Sequence, residues 1–427
     1  MPNGNQFLDD LRWRNLLHQC TDEQALARHL NKPRCIYAGF DPTADSLTIG
    51  NLVPIMLLRH AQEQGHTPVV VMGGGTGRIG DPSGKEAERP LLTNEQIDAN
   101  IASQRRIFER LLQLEGPGAA QVCNNNDWLG ELRLIAALRD VGKHFSVNEM
   151  IRRDSVARRL EGREQGISYT EFSYMILQAY DFLHLFEHEN VTVQTGGSDQ
   201  WGNIASGVDL IRRVAQGEAF GLTAPLVTKA DGGKFGKTES GAIWLTAERT
   251  SAYAFHQFWI NTADADVVRF LKMFTLLSRS DIDDLAREHQ ANPGGRAAHR
   301  ALADNATALM HGEAGAHRAQ AVAAALFSGD VRSLDADSLR DAIASAPSSD
   351  HARSLLKGAG ANLVELLPQT TLAKSKREAR EFLAASAISV NGEKVASNRI
   401  LTSDDLLQGE TILLRRGKKH WHATRWI

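Results

Sequence analysis

Cysteine is scarce: three residues in 427 (Cys20, Cys35 and Cys123), scattered and without C-x-x-C spacing. That excludes a disulfide framework and a zinc knuckle, and it reads as a reduced compartment, the cytoplasm. No apolar run reaches the roughly 18 residues that a membrane helix needs. The opening "MPNGNQFLDDLRWRN" is polar and acidic, which is not the pattern of a secretory signal. No membrane partner is therefore expected. Internal repeats and low-complexity tracts are also lacking. What remains is an ordinary globular composition, 42% hydrophobic and 23% charged, long enough for two or three domains.

Net charge is only −3, but it is unevenly placed. Residues 371–427 hold 11 Lys/Arg against 6 Asp/Glu, and the last 13 residues carry five basic side chains, two tryptophans and no acid. A basic end with interleaved aromatics suits a phosphate backbone. Upstream, apolar runs at 35–40 ("CIYAGF"), 68–73 ("PVVVMG") and 191–197 ("VTVQTGG") read as buried parallel strands. Helical stretches at 50–64, 95–113 and 170–187 separate them. The expectation is an α/β, doubly wound, Rossmann-like catalytic domain over 1–247. An α-helical domain over 248–327, a linker with short helices over 328–360 and a small basic α+β unit over 361–427 should follow.

Three familiar motifs fail on inspection. Gly75-Thr-Gly-Arg-Ile-Gly80 matches G-x-G-x-x-G after a strand, but a turn follows where a dinucleotide fold needs a helix. "DPSGKE" lacks the first P-loop glycine and has Glu86 where a Mg2+-binding hydroxyl belongs. His184-Leu-Phe-Glu187-His188 has metallopeptidase spacing but ends a helix with no third ligand in view. No protein-bound metal is expected.

Two other segments fit together. In "GFDPTADSLTIGNLVPI" (39–55) a strand end leads through an Asp-Pro-Thr turn to a helix start. Thr48 and Asn51 share one helix face, and Gly50 between them leaves room for a flat ring against the backbone. Helix starts also favour phosphates. By itself the segment reads equally as a capped helix. The second segment, "TKADGGKFGKTESG" (228–241), presents lysines in a glycine-rich loop suited to closing over a triphosphate.

These segments resemble the two signatures of class I aminoacyl-tRNA synthetases. From about residue 7 onward the chain is similar to the bacterial tyrosyl-tRNA synthetase family. The runs "GFDPTADSL", "GDPSGKEAER", "GKHFSVNEMI", "GISYTEFSYMILQAYDF", "GGSDQWGNI" and "LVTKADGGKFGKTESGAIWL" carry that likeness in order. The resemblance implies a tyrosine site in which Tyr37 and Asp181 hold the phenol. Asp81, Tyr174 and Gln178 would bind the ammonium, with Gln194 and Gln200 nearby. It implies ATP contacts from Asp41, Gly50, Asn51, Asp199, Lys234 and Lys237. Thr43, Thr48, Asn51, Lys85, Arg89, Lys234, Lys237 and Thr238 would serve catalysis. ATP, with Mg2+ carried on the nucleotide, L-tyrosine and tRNA(Tyr) are the implied cofactor and partners, and a homodimer is implied, with "GISYTEF" at its interface.

The C-terminal unit resembles an S4-type RNA-binding domain. Lys374, Lys376, Arg377 and Arg380 precede a hairpin signal at Asn391-Gly392, and Arg415, Arg416, Lys418 and Lys419 complete the implied tRNA surface. One departure stands out: the tyrosine family usually has histidine at both positions 48 and 51. It supports an alternative, a catalytically inactive paralogue that binds RNA. A tryptophan specificity is a further rival, opposed by the Tyr37/Asp181 pair and by the S4-like tail.

Overall fold

The computed structural model describes residues 2–81, 92–153, 156–157, 160, 167–233, 235–238, 241–344, 346–417 and 420–427. It forms two compact units, Met1–Arg249 with Thr262–Leu302, and Thr250–Asn261 with Ala303–Ile427.

The first unit is built on a six-stranded sheet in the order β1-β6-β5-β2-β3-β4. Its strands are β1 (Gln19–Cys20), β2 (Cys35–Phe40), β3 (Thr67–Met72), β4 (Gln121–Asn124), β5 (Val191–Gly197) and β6 (Phe220–Ala224). All pairings are parallel except β1 on β6. Sheet order reverses between β2 and β5, the place where a doubly wound sheet opens a ligand crevice at its carboxyl ends. Its longer helices are α1 (Gly4–Trp13), α2 (Glu23–His29), α3 (Leu52–Glu63), α4 (Asn94–Leu111), α5 (Tyr169–Glu189) and α6 (Trp201–Val214). Two more follow in 262–302: α7 (Asp264–Phe274) and α8 (Arg279–Ala291).

The strands expected at 35–40, 68–73 and 191–197 form almost residue for residue, because unbroken apolar runs bury on both faces. Ile36, Tyr37, Val69, Val70, Val71 and Val193 are at most 1–2% exposed. Helix α3 begins later than expected. A 3-10 turn at Ile49–Asn51 precedes it, so the helix proper opens at Leu52.

The second unit joins helices, among them Ala252–Ile260 and Ala336–Ala344, to a five-stranded sheet. In that sheet Ile388–Val390 pairs with Glu393–Lys394 across Asn391 and Gly392, both at positive φ (48° and 89°), as the hairpin signal requires. Ser348–His351, within the stretch expected to be a linker, lies parallel to His420–Trp426 at the sheet edge. Its sequence, "SSDH", carries no apolar signal. The strand exists because the last strand leaves an edge open to it: Ala423 N–H donates to the Pro347 carbonyl at 2.8 Å and Ile427 N–H to the His351 carbonyl at 3.0 Å. The core beneath includes Leu363, Leu367, Ile388, Ile412, Leu414 and Trp426.

Candidate active site

A cleft of about 470 Å³ opens at the carboxyl ends of the parallel strands. Most of the expected residues line it: Tyr37, Asp41, Thr43, Thr48, Gly50, Asn51, Asp81, Tyr174, Gln178, Asp181, Asp199 and Gln200. Gln194 does not. It is buried, and its side-chain oxygen lies against Gly207 of α6, 3.3 Å from where a Cβ would stand. Lys237 is exposed in a short strand and is not among the lining residues. Lys85, Arg89, Lys234, the Thr238 side chain, Lys418 and Lys419 lie outside the described residues.

The floor of the cleft is a buried carboxylate. Asp181 on α5 is 3% exposed and accepts from Asn125 Nδ2 at 2.9 Å and Trp128 Nε1 at 2.7 Å. Burial pushes its carboxyl up to about 7; the two donors pull the other way, and the Asp41 charge adds to the rise. The Tyr37 hydroxyl, also buried, has no hydrogen-bond partner among the described residues. Burial first, and then the Asp181 charge, hold its phenol well above the usual range. An unpaired buried hydroxyl within the field of a buried carboxylate is costly in isolation and suits a ligand that donates to one and accepts from the other.

A second polar group surrounds Asp41. Its Oδ1 accepts from Thr76 Oγ1 at 2.8 Å and its Oδ2 from the Tyr174 hydroxyl at 3.0 Å. Asn125 ties both groups together by also donating to Thr76 Oγ1 at 3.0 Å. Gly73 permits the approach, since a Cβ there would stand 2.2 Å from Asp41 Oδ1. Further along, Gln200 donates to Asp81 Oδ2 at 2.8 Å, and Asn203 donates to Gln178 Oε1 at 2.9 Å. Tyr174, Gln178 and Asp181 reach one cleft because i, i+4, i+7 spacing puts them on one face of α5.

Thr48-Ile-Gly-Asn51 is both a cap and part of the cleft wall. Asn51 Oδ1 accepts from the Thr48 backbone N–H at 3.1 Å and from the Thr48 hydroxyl at 2.9 Å. The Thr48 proton is therefore committed internally, which leaves its lone pairs and the Asn51 NH2 for other partners. Gly50 is needed neither for backbone strain nor for packing: a Cβ there would meet only Thr48 Oγ1, at 3.7 Å. Its bare face is open to the cleft.

The two signatures are also in contact. Backbone bonds run from Ile49 N to Ile243 O and from Leu245 N to Leu47 O, both 2.9 Å. Gly236 at φ 75° allows its backbone to pass Ile49, where a Cβ would meet Cγ2 at 2.4 Å. Behind the loop, Phe235 packs on Phe270 and Phe274 at 5.1 and 5.3 Å, and Ala230 N–H donates to Asp266 at 2.9 Å.

Among the tRNA-side residues, Lys374, Lys376, Arg377 and Arg380 are exposed around the helix Lys376–Ala384. Arg415 and Arg416 are more committed. They donate to the Leu326 carbonyl at 3.2 Å and the Leu372 carbonyl at 2.7 Å, and cover Trp421 and Phe382.

Asn125, Trp128, Thr76 and Asn203 were not singled out from the sequence. "NNNDW" (124–128) follows a strand end, where polar residues of a parallel sheet face ligands, and that was the available signal.

The family model for class I tRNA synthetases (W and Y) matches residues 29–328, and that for the tyrosine–tRNA ligase SYY-like C-terminal domain matches 341–424. The chain belongs to the class I tRNA synthetases. Within that family, it is 50% identical to a tyrosine–tRNA ligase of Geobacillus kaustophilus (strain HTA426) over 424 residues, covering 98% of this chain and 99% of the relative. A tyrosine–tRNA ligase of Staphylococcus epidermidis (strain ATCC 12228 / FDA PCI 1200) is 49% identical over 426 residues, covering 99% of each. A C-terminally truncated mitochondrial tyrosyl-tRNA synthetase from Aspergillus nidulans superposes with a TM-score of 0.69 at 32% identity, over 75% of this chain and 94% of that one. Tryptophanyl enzymes such as that of Plasmodium falciparum share the fold at 13% identity and a TM-score of 0.54.

The raised carboxyl of Asp181 makes folding stability depend on pH. Its folded value of about 7 exceeds the ordinary 3.8, so the folded chain binds this proton more tightly. The contribution favours folding below about pH 4 and is lost as pH rises through 7. Asp181→Asn should therefore raise the thermal midpoint of the ligand-free protein at pH 8, with the gain shrinking as pH falls to 5. At about 1.36 kcal/mol per pKa unit the gain is on the order of 4 kcal/mol at most, less the bond from Asn125 that an amide cannot accept as well. Thermal unfolding followed by circular dichroism checks this; a variant less stable than wild type at pH 8 would contradict it.

Proposed function

We propose that the cleft activates L-tyrosine with ATP and hands it to tRNA(Tyr), so that the protein acts as a tyrosine–tRNA ligase. The observation that carries this is the buried Asp181 carboxylate beside the unpaired Tyr37 hydroxyl. A phenol donating to the first and accepting from the second satisfies both, whereas phenylalanine or an indole leaves one or both unpaired. Asp81, Tyr174 and Gln178 are assigned to the α-ammonium, and the carboxyl groups of Asp41, Asp81 and Asp199 in the same cleft support that assignment. Gln200 stands at the amino-acid end, Asp199 takes the ribose, and Gly50 and Asn51 receive the nucleoside. Gln194 acts from beneath the wall.

The chemistry follows from this placement. A tyrosine carboxylate oxygen attacks the α-phosphorus in line; that P–O bond forms, the bond to the β-phosphate oxygen breaks, and pyrophosphate leaves. A ribose hydroxyl of the tRNA end then attacks the activated carbonyl, and AMP departs. No protein nucleophile is needed, because positioning and charge stabilisation suffice. Thr43, Thr48, Lys85, Arg89, Lys234, Lys237 and Thr238 are assigned to the phosphates, with Mg2+ arriving on ATP. The C-terminal unit, with Lys374, Lys376, Arg377 and Arg380 outermost, is assigned to the tRNA backbone, and Arg415 and Arg416 support it from within. Function divides along 1–247, 248–327 and 361–427.

A homodimer is part of the proposal. Leu134 (70%), Ile135 (74%) and Tyr169 (72%) are exposed on the first unit, and a second copy of the chain would cover them. Analytical ultracentrifugation should give twice the chain mass; a monomer at micromolar concentration would refute it.

Tyrosine-dependent ATP–pyrophosphate exchange tests the whole reading. Exchange with tyrosine, and little with tryptophan, is expected. Silence with ATP, Mg2+ and tyrosine would favour an RNA-binding paralogue. Within the same assay Thr48→His should change the exchange rate, about 10-fold or more in either direction, and leave tyrosine affinity nearly unaltered. A large shift in tyrosine binding would mean the Thr48 segment is misassigned.

A further inference from the structure

The His184-Leu-Phe-Glu187-His188 run has metallopeptidase spacing, yet its two histidines are stacked face to face. Their ring centroids lie 4.3 Å apart with 18° between the planes, and His188 Nδ1–H donates to the His184 carbonyl at 2.9 Å. The Trp128 indole is stacked on the same His184 ring, 4.6 Å away at 15°. Two near-parallel rings at these spacings take opposite faces, so His184 is sandwiched between them. His188 is exposed, while His184 and Trp128 are half-buried.

Asp181, His184 and His188 are spaced i, i+3, i+7 and share one face of α5. Trp128, from the one-turn helix Asn126–Leu129 that follows β4, meets that face twice. Its edge donates Nε1–H to Asp181 Oδ1 at 2.7 Å, and its flat side lies on His184. A single hydrogen bond leaves an indole free to turn about the N–H axis and to bend off the acceptor. A ring stacked on its face fixes the plane. Burial first, and then the His188 charge, hold His184 below the usual imidazole range against the pull of Glu189, so it meets the indole as a neutral ring.

We propose that His184 is a positioning residue for tyrosine specificity: its ring holds the Trp128 indole in the plane from which Nε1–H reaches Asp181. His188, pinned to the His184 carbonyl, backs that ring from the solvent side. This role rests on the tyrosine-activating reading of the cleft.

The effect on selectivity follows from what Asp181 needs. It is buried, and its two side-chain donors, Asn125 and Trp128, are what favour its charged form. An indole that tilts away leaves one carboxylate oxygen unpaired, and a buried carboxylate short of a donor takes a proton more readily. Its power to accept from a phenol then weakens. Phenylalanine presents no hydroxyl, so its turnover does not depend on that bond. His184 touches no substrate and acts through Trp128 alone.

Adenylate formation by the full chain, measured with tyrosine and with phenylalanine, tests this. His184→Ala should lower kcat/KM for tyrosine about 3- to 10-fold, the scale of one lost ring stack, and leave the phenylalanine value little changed. His184→Phe, which restores a flat ring, should recover most of the tyrosine value. In a Trp128→Phe background, where an aromatic face remains but no N–H donates, His184→Ala should cost no further selectivity. Half-buried His184 tolerates both replacements, and far-ultraviolet circular dichroism verifies that the variants fold. A merely structural role would lower the values for both amino acids and would persist in the Trp128→Phe background; either result overturns the proposal, as does a tyrosine preference left intact by His184→Ala. Wild type that forms no adenylate with tyrosine would overturn the underlying reading of the cleft, and this role with it.

Discussion

Placing an anionic carboxylate inside a protein is among the most expensive arrangements a fold can hold, and the first unit is organised around one. Asp181 stays ionisable near neutrality only because Asn125 and Trp128 donate to it from the end of β4. The same Asn125 fixes Thr76, which fixes Asp41, which is fixed again by Tyr174. The part of the polar wall from Asp181 to Tyr174 is therefore one connected network, and it is preorganised before any ligand arrives. Such a network is costly when partly satisfied. The unpaired Tyr37 hydroxyl is the part that a phenol completes in the proposed reading.

The second constraint joins the two signature segments. Residues 47–49 and 243–245 exchange backbone hydrogen bonds, and Gly236 lets the loop pass over Ile49 without a side chain between. The start of α3 at the cleft wall and the base of the glycine-rich loop are thus fixed to one another. Phe235, seated on Phe270 and Phe274, sets the other limit of the loop. That arrangement fits catalysis by positioning, where placement of charge matters more than any reactive side chain.

Much of this was legible because apolar patterning reports burial. "CIYAGF" and "VTVQTGG" gave strands with the right bounds, and the i, i+4, i+7 spacing put Tyr174, Gln178 and Asp181 in one cleft. The Asn391-Gly392 turn announced its hairpin through positive φ, a purely local requirement. What was not legible depended on distant partners. Ser348–His351 is a strand only because an edge is offered to it. Asn125 and Trp128 look like loop residues until Asp181 is placed opposite them. Gln194 lies in a strand with its neighbours in the site, yet it points at Gly207. The Thr48–Asn51 pair posed a choice between cap and ligand site, and it turned out to combine a cap with a place in the cleft wall.

The central claim is that Asp181 and Tyr37 read the phenol, and the ratio of kcat/KM for tyrosine over phenylalanine in adenylate formation tests it most directly. Tyrosine enzymes of this class are known to discriminate by about 10⁵; the geometry itself dictates only which side chains the preference depends on. It predicts that wild type favours tyrosine by orders of magnitude and that Tyr37→Phe narrows the ratio through the tyrosine value, with phenylalanine turnover little changed. A ratio left intact by Tyr37→Phe would contradict the account.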